Sequence, residues 1–125
     1  MAPGQVATAS VEPQTLELAA DADLLDQAVI NLVRNAIEAL AEVAAGRIEL
    51  SGRQHPDGRV VIAVADNGPG IANDQLDRIF VPFFTTKRQG SGVGLTLVRQ
   101  IATAHGATVD VAQTPGGGAT VSLRF

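Results

Sequence analysis

Three stretches of the chain hold residue types that can do chemistry. In the first, Asn31, Asn35, Glu38 and Glu42 are spaced four, three and four residues apart, which on a helix puts them on one stripe. Asn is a poorer helix former than Ala, so two of them within one helix invite a functional reading. Their amide oxygens, one turn apart, suit a hard cation such as Mg²⁺ or the waters around it. A solvated polar face is the plain alternative. In the second stretch, "VVIAVADNGPGI" (residues 60–71), an apolar run delivers Asp66 to a turn through Gly68, Pro69 and Gly70. An ionised carboxylate only accepts hydrogen bonds. Beneath glycines that admit a flat ligand, it can read an amine such as the exocyclic amino group of adenine. The competing reading is an Asx-type turn in which Asp66 and Asn67 bond their own backbone.

The third stretch is "KRQGSGVGLTL" (residues 87–97), with Gly90, Gly92 and Gly94 on alternate positions ahead of a helical pattern. A glycine cluster opening a helix is suited to an anion. Two familiar phosphate patterns fail. No Gly-Lys pair exists anywhere in the chain, so there is no P-loop, and the third glycine stands one position early for a dinucleotide fingerprint. Asp110, near where that fingerprint places its acid, therefore carries no weight. Nor is Ser91 a nucleophile elbow, because Gln89 occupies a required glycine position. What remains is a loop that feeds backbone N–H groups and a helix N-terminus towards an anion, with Lys87 and Arg88 just before it.

Composition narrows the field. A chain of 125 residues with net charge −4 and no run among its nine Lys and Arg is not built to neutralise a nucleic-acid backbone. Any anionic ligand must be held by local donors or a metal. With no cysteine, a disulfide framework and a thiolate metal site are excluded. No apolar run is long enough to span a bilayer, and "MAPGQVATAS" lacks the basic start and apolar core of a secretory signal. The expected location is the cytoplasm. His55 in a turn and His105 at a helix end make no metal or nucleophile–base arrangement.

The elements that must position these residues follow from periodicity. The first twenty residues alternate loosely, and "QTLELA" (residues 14–19) reads as an edge strand. A long helix starts at Asp21 or Asp23, buries Leu25, Ala28, Val29, Leu32, Val33, Ala36 and Leu40, and ends at Gly46. Residues 47–53 and 59–66 form a hairpin around Pro56–Gly58. A short helix from Asn73 to Ile79 and a loop through "FVPFFTTKRQ" follow. A second long helix spans 94–106, burying Leu95, Val98, Ile101 and Ala102, with Gly106 as its stop. "ATVDVAQ" and "ATVSLRF" make a second hairpin. The expected fold class is α+β: one domain over residues 1–125, a two-layer α/β sandwich whose mostly antiparallel mixed sheet is covered on one face by about three helices.

The order "NLVRNAIEAL", "DNGPGI", "FVPFFTTK", "GSGVGL", "GGGATVSL" resembles the N, G1, F and G2 boxes and last hairpin of the ATP-binding catalytic domain of sensor histidine kinases. That superfamily (GHKL, the Bergerat ATP-binding fold) also includes DNA gyrase, the chaperone Hsp90 and MutL. The resemblance covers roughly residues 15–125 and implies ATP and Mg²⁺ as cofactors. It makes Asn35 the Mg²⁺ ligand, with Asn31 near the phosphates as a possible second. It makes Asp66 the reader of the adenine amine, Gly68 and Gly70 the shapers of its pocket, and Thr120 a contact to the same edge through water. Phe80, Phe83 and Phe84 would pack beneath an ATP lid. Lys87, Gly90, Gly92 and Gly94 would face the phosphates, with Leu95 behind them. Ile71, Thr86, Ser91 and Val93 complete the implied nucleotide-binding set.

The lid is short, as in nitrogen-regulation-type kinases, since only "RQ" separates "TTK" from Gly90. Hydrolysing relatives carry a general-base Glu where this chain has Asn31, which favours transfer to a protein over hydrolysis. Glu38 shares the stripe as a conceivable substitute. Neither histidine sits in an acceptor box. The resemblance thus implies a catalytic domain apart from its dimerisation and acceptor domain, donating the γ-phosphoryl group to a histidine there, with a response regulator downstream. A serine kinase of the anti-sigma type and a nucleotide-binding pseudokinase are the competing readings.

Overall fold

A computed structural model describes residues 5–12, 20–41, 43–70, 94–114 and 117–125. They form β1 (Val6–Glu12), α1 (Ala22–Ala39), β2 (Arg47–Gln54), β3 (Val60–Asp66), α2 (Gly94–Ala104), β4 (Thr108–Gln113) and β5 (Ala119–Arg124). The five strands make one sheet in the order β1-β2-β3-β5-β4. The β1–β2 pair is parallel and the other three pairs are antiparallel.

Alternation along the strands sorts the sheet into two faces. Ile48, Leu50, Ile62, Val64, Val109, Val121 and Leu123 turn to one side, where they pack with Ala28, Leu32, Ala36 and Leu40 of α1 and Val98, Ile101 and Ala102 of α2. Arg47, Glu49, Arg53, Asp110 and Arg124 alternate with them and are exposed. Both helices therefore lie on one face of the sheet, α1 over β2 and β3, α2 beside β4 and against α1. The two-layer α+β architecture is as expected.

The local signals behave as their chemistry requires. Asp21 caps α1 by accepting from the Leu24 amide at 3.0 Å. Gly106, at φ 66°, ends α2, with Gly106 N–H donating to the Thr103 carbonyl and Ala107 N–H to that of Ala102, a Schellman closure. His105 seals the same corner. One ring nitrogen lies 2.8 Å from the Ile101 carbonyl, and the other accepts from the Asp21 amide at 3.0 Å. Both expected hairpins form, β2 with β3 and β4 with β5.

Two expectations meet a different outcome. First, α1 ends at Ala39, with Leu40 as its cap, rather than at Gly46: the amides of Leu40, Ala41 and Val43 bond carbonyls three residues back, so the chain leaves in tight turns while Leu40 is fully buried. Gly46 has another task, since a Cβ there would stand 2.9 Å from the Leu40 side chain. Second, the sheet begins at Val6, upstream of the expected start of the core, in a parallel strand exposed along its whole length. The loose alternation of the first residues is not matched by alternating burial, since every residue of the strand is exposed. The edge strand expected at 14–19 and the short helix expected at 73–79 lie outside the described residues, among which two helices are present. Neither of these is long and apolar enough to cross a membrane.

Candidate functional site

Asp66 is the last residue of β3, in register with Ile48 on the helix-covered face, and is only 9% exposed. It is the one buried charged side chain among the described residues. Its Oδ1 accepts from the Gly68 amide at 2.9 Å and from the Ala119 amide of β5 at 3.3 Å. The Asx-type turn and the ligand-reading carboxylate thus prove compatible rather than exclusive. Both bonds reach the same oxygen, and a carboxylate accepts about four, so Oδ2 keeps acceptor capacity at the end of the strand.

The glycines around Asp66 answer to close contact or to backbone conformation. A Cβ on Gly68 would lie 2.9 Å from the Ala39 carbonyl oxygen and 3.1 Å from Asp66 Oδ1, so only a glycine lets the turn nest against the end of α1. Gly70 adopts φ 77°, and a side chain there would run into Gln113. Gly118, at φ 95°, passes directly over the backbone of Asp66 and Asn67. Asn67 does not bond its own turn. Its Oδ1 accepts from the Arg47 amide at 2.6 Å and its Nδ2 donates to the Ala45 carbonyl at 3.1 Å.

Ala39, whose carbonyl meets Gly68, lies one helical turn beyond Asn35. The metal-type and base-type elements of the sequence are therefore brought to one end of the molecule. Asn35 is half-buried and its Nδ2 atom is buried. Asn31 is half-buried and donates from Nδ2 to the Gln27 carbonyl at 2.7 Å, a bond back to the preceding turn. Glu38 is half-buried on the same helix. Gly94 opens α2 and Leu95 packs at the edge of the core. Ile71, Phe80, Phe83, Phe84, Thr86, Lys87, Gly90, Ser91, Gly92 and Val93 lie outside the described residues, as does Glu42.

Among the described site residues, Thr120 is the one that the sheet register sets on the other face from Asp66. It pairs with Ala65, next to Asp66, and so occupies the opposite face of the sheet. Its hydroxyl sits 2.8 Å from that of Thr114. The reason is the two-residue period of a strand: a shift of one position changes the face. From this end of β5 it is the amide of Ala119, not the Thr120 hydroxyl, that reaches Asp66. Ala119 and Gln113 were not singled out from the sequence and Asn67 was read only as a turn residue, because their contacts are to partners distant along the chain. "DNG" alone points to a turn, not to its anchor.

The profile of the family described as histidine kinase-, DNA gyrase B-, and HSP90-like ATPase matches residues 20–125. The chain is similar to the sensor histidine kinase ZraS of Escherichia coli (strain K12), 46% identical over 107 residues that make 86% of this chain and 22% of that protein. It is likewise similar to the signal transduction histidine-protein kinase AtoS of the same organism, at 42% over 104 residues, 83% of this chain and 17% of AtoS. The chain therefore spans about a fifth of the length of these relatives. Among solved structures, the nucleotide-free catalytic domain of the histidine kinase ThkA superposes with a TM-score of 0.85 at 31% identity, covering 98% of this chain and 78% of that one. Full-length ShkA in complex with AMPPNP gives 0.82 at 33% identity, covering 97% and 25%. With its sheet, the two helices among its described residues and a buried carboxylate at the end of β3, the chain belongs to the histidine kinase-, DNA gyrase B- and HSP90-like ATPase family.

Proposed function

We propose that this domain binds Mg²⁺–ATP and donates the γ-phosphoryl group to a histidine on a separate dimerisation and acceptor domain, with a response regulator downstream. The observation that carries the reading is Asp66: a buried carboxylate at a strand end, pinned through one oxygen by two backbone amides. Oδ2 can then accept from the adenine amine, while guanine offers a carbonyl at the matching place. A carbonyl facing a carboxylate is two acceptors without a proton between them. ATP and ADP are expected to bind about 100-fold more tightly than GTP, as sites built around a substrate N–H reject analogues that lack it. Isothermal calorimetry decides, and equal affinities would remove the adenine assignment.

Asn35 is the residue of the described set that suits Mg²⁺, because its amide supplies a neutral oxygen on a rigid helix and Mg²⁺ takes oxygen ligands while keeping several waters. Held there, the ion would offset the charge of the phosphate oxygens. The domain's own residues do the positioning: Asp66 sets the base, the Asn35 turn sets the metal-bound end, and Gly94 presents the start of α2 towards the phosphates. In the transfer, the acceptor imidazole nitrogen bonds to the γ-phosphorus as the bond to the β–γ bridging oxygen breaks and ADP leaves. The imidazole proton passes to a carboxylate beside the acceptor. Asn31, its amide nitrogen tied to the Gln27 carbonyl, cannot accept a proton from water, which supports transfer over hydrolysis.

Asn35→Ala is expected to fold normally, since Ala is the better helix former. It should lose about tenfold of the Mg²⁺-dependent gain in ATP affinity, the worth of roughly 1.4 kcal/mol. Calorimetry with and without Mg²⁺ reads this directly. ThkA has been solved in complex with its response regulator TrrA, which supports the same class of downstream partner here. The proposed location is the cytoplasm, where ATP is available.

A further inference from the structure

We propose that Asn67 is a positioning residue for base recognition: it locks the turn that aims the Asp66 carboxylate. The inference rests on the adenine reading of Asp66 and assigns its precision to a neighbour that touches no ligand.

Asn67 stands between Asp66 and Gly68 and closes three hydrogen bonds onto one short segment. Its own amide donates to the Arg47 carbonyl at 3.3 Å, its Oδ1 accepts from the Arg47 amide at 2.6 Å, and its Nδ2 donates to the Ala45 carbonyl at 3.1 Å. That segment is itself fixed. Gly46 packs against the fully buried Leu40, and the Gly46 carbonyl accepts from Val6 of β1 at 2.9 Å. The turn is thus tied to β1, to the end of α1 and to the start of β2 at once.

A carboxamide is the side chain that fits, because it must accept from one peptide N–H and donate to a carbonyl two residues away. Asp offers no donor for Ala45, and Ala offers neither group. Asn67 is exposed, so its removal leaves no cavity and water can satisfy Arg47 and Ala45. The clamp is lost while the fold survives. What loosens is the turn holding Gly68 N–H on Asp66 Oδ1, and with it the direction in which Oδ2 faces the base. Recognition of an N–H needs a donor–acceptor distance near 2.9 Å and near-linear geometry, so a freed turn weakens discrimination more than general affinity.

The test titrates the chain with ATP and with GTP by calorimetry, as wild type, Asn67→Ala and the isosteric Asn67→Asp. The ATP-to-GTP affinity ratio is expected to fall about tenfold in both variants, a loss of one interaction's worth of discrimination. Hydrogen exchange should show reduced protection of the Arg47 amide in Asn67→Ala. A merely structural role would lower the melting temperature and both affinities together, leaving the ratio unchanged. A folded Asn67→Ala with the wild-type ratio overturns the proposal, and if that variant does not fold, the ratio measured on Asn67→Asp decides in its place. A wild type that fails to distinguish ATP from GTP instead overturns the adenine reading, and this proposal falls with it.

Discussion

Asp66→Asn is expected to remain folded and to lose about 100-fold in ATP affinity, an effect of roughly 2.8 kcal/mol. The substitution is nearly isosteric, and the amide oxygen can take over the bonds from Gly68 N–H and Ala119 N–H that Oδ1 now accepts. The amide nitrogen then stands where Oδ2 was. It directs N–H donors at the adenine amine, itself a donor, so a charge-assisted bond worth about 1.5–3 kcal/mol is replaced by two unsatisfied donors. The same change turns a donor towards the guanine carbonyl, so GTP should lose far less than ATP. Calorimetry with both nucleotides measures the two arms, and a thermal melt confirms the fold. ATP affinity within threefold of wild type would show that Asp66 does not read the base.

Gly118→Ala should destabilise the domain by about 4 kcal/mol or more, a size reserved for severe steric or packing damage. Gly118 has φ 95° and lies over the end of β3, where an added Cβ would overlap the carbonyl of Asp66 and crowd Asn67 Cα. Those atoms are backbone in a central strand, so relief requires β3 and β5 to part. Gly118 also accepts from Thr114 N–H across the hairpin, at 2.9 Å, so the hairpin turn would distort with it. Gly58→Ala is the matched control. Gly58 has φ 87° with nothing within 4 Å of the added carbon, which leaves only left-handed strain of about 1–2 kcal/mol. Urea denaturation of the two variants separates strain from overlap. Equal losses would mean that the contact over Asp66 is not what Gly118 is for.

The two described helices and the hairpins were legible because their signals are local. The apolar stripe of α1, the Asp21 cap, the Pro56–Gly58 turn and the Gly106 stop each act within a few residues, and each appears in the structure. The end of α1 was misread because a buried Leu40 and a succession of tight turns stop the helix before its glycine. The position of the parallel β1 was not legible for a related reason: the first twenty residues alternate loosely throughout, and what selects residues 6–12 is pairing with the neighbouring edge of β2.

The chain's order of motifs determined the family and the fold class and singled out Asp66 as the carboxylate proposed to read the base, while its charge and its lack of cysteine excluded other classes. These depend on residue type and short spacing, which a sequence states outright. Tertiary structure alone decided which groups meet there. It put Thr120 on the far face of the sheet and brought the Ala119 amide to Asp66. It turned Asn67 from a turn residue into a clamp on a strand that starts twenty residues earlier. Strand register and side-chain reach across the sheet settle such matters, and both are set by packing between segments that the sequence keeps apart.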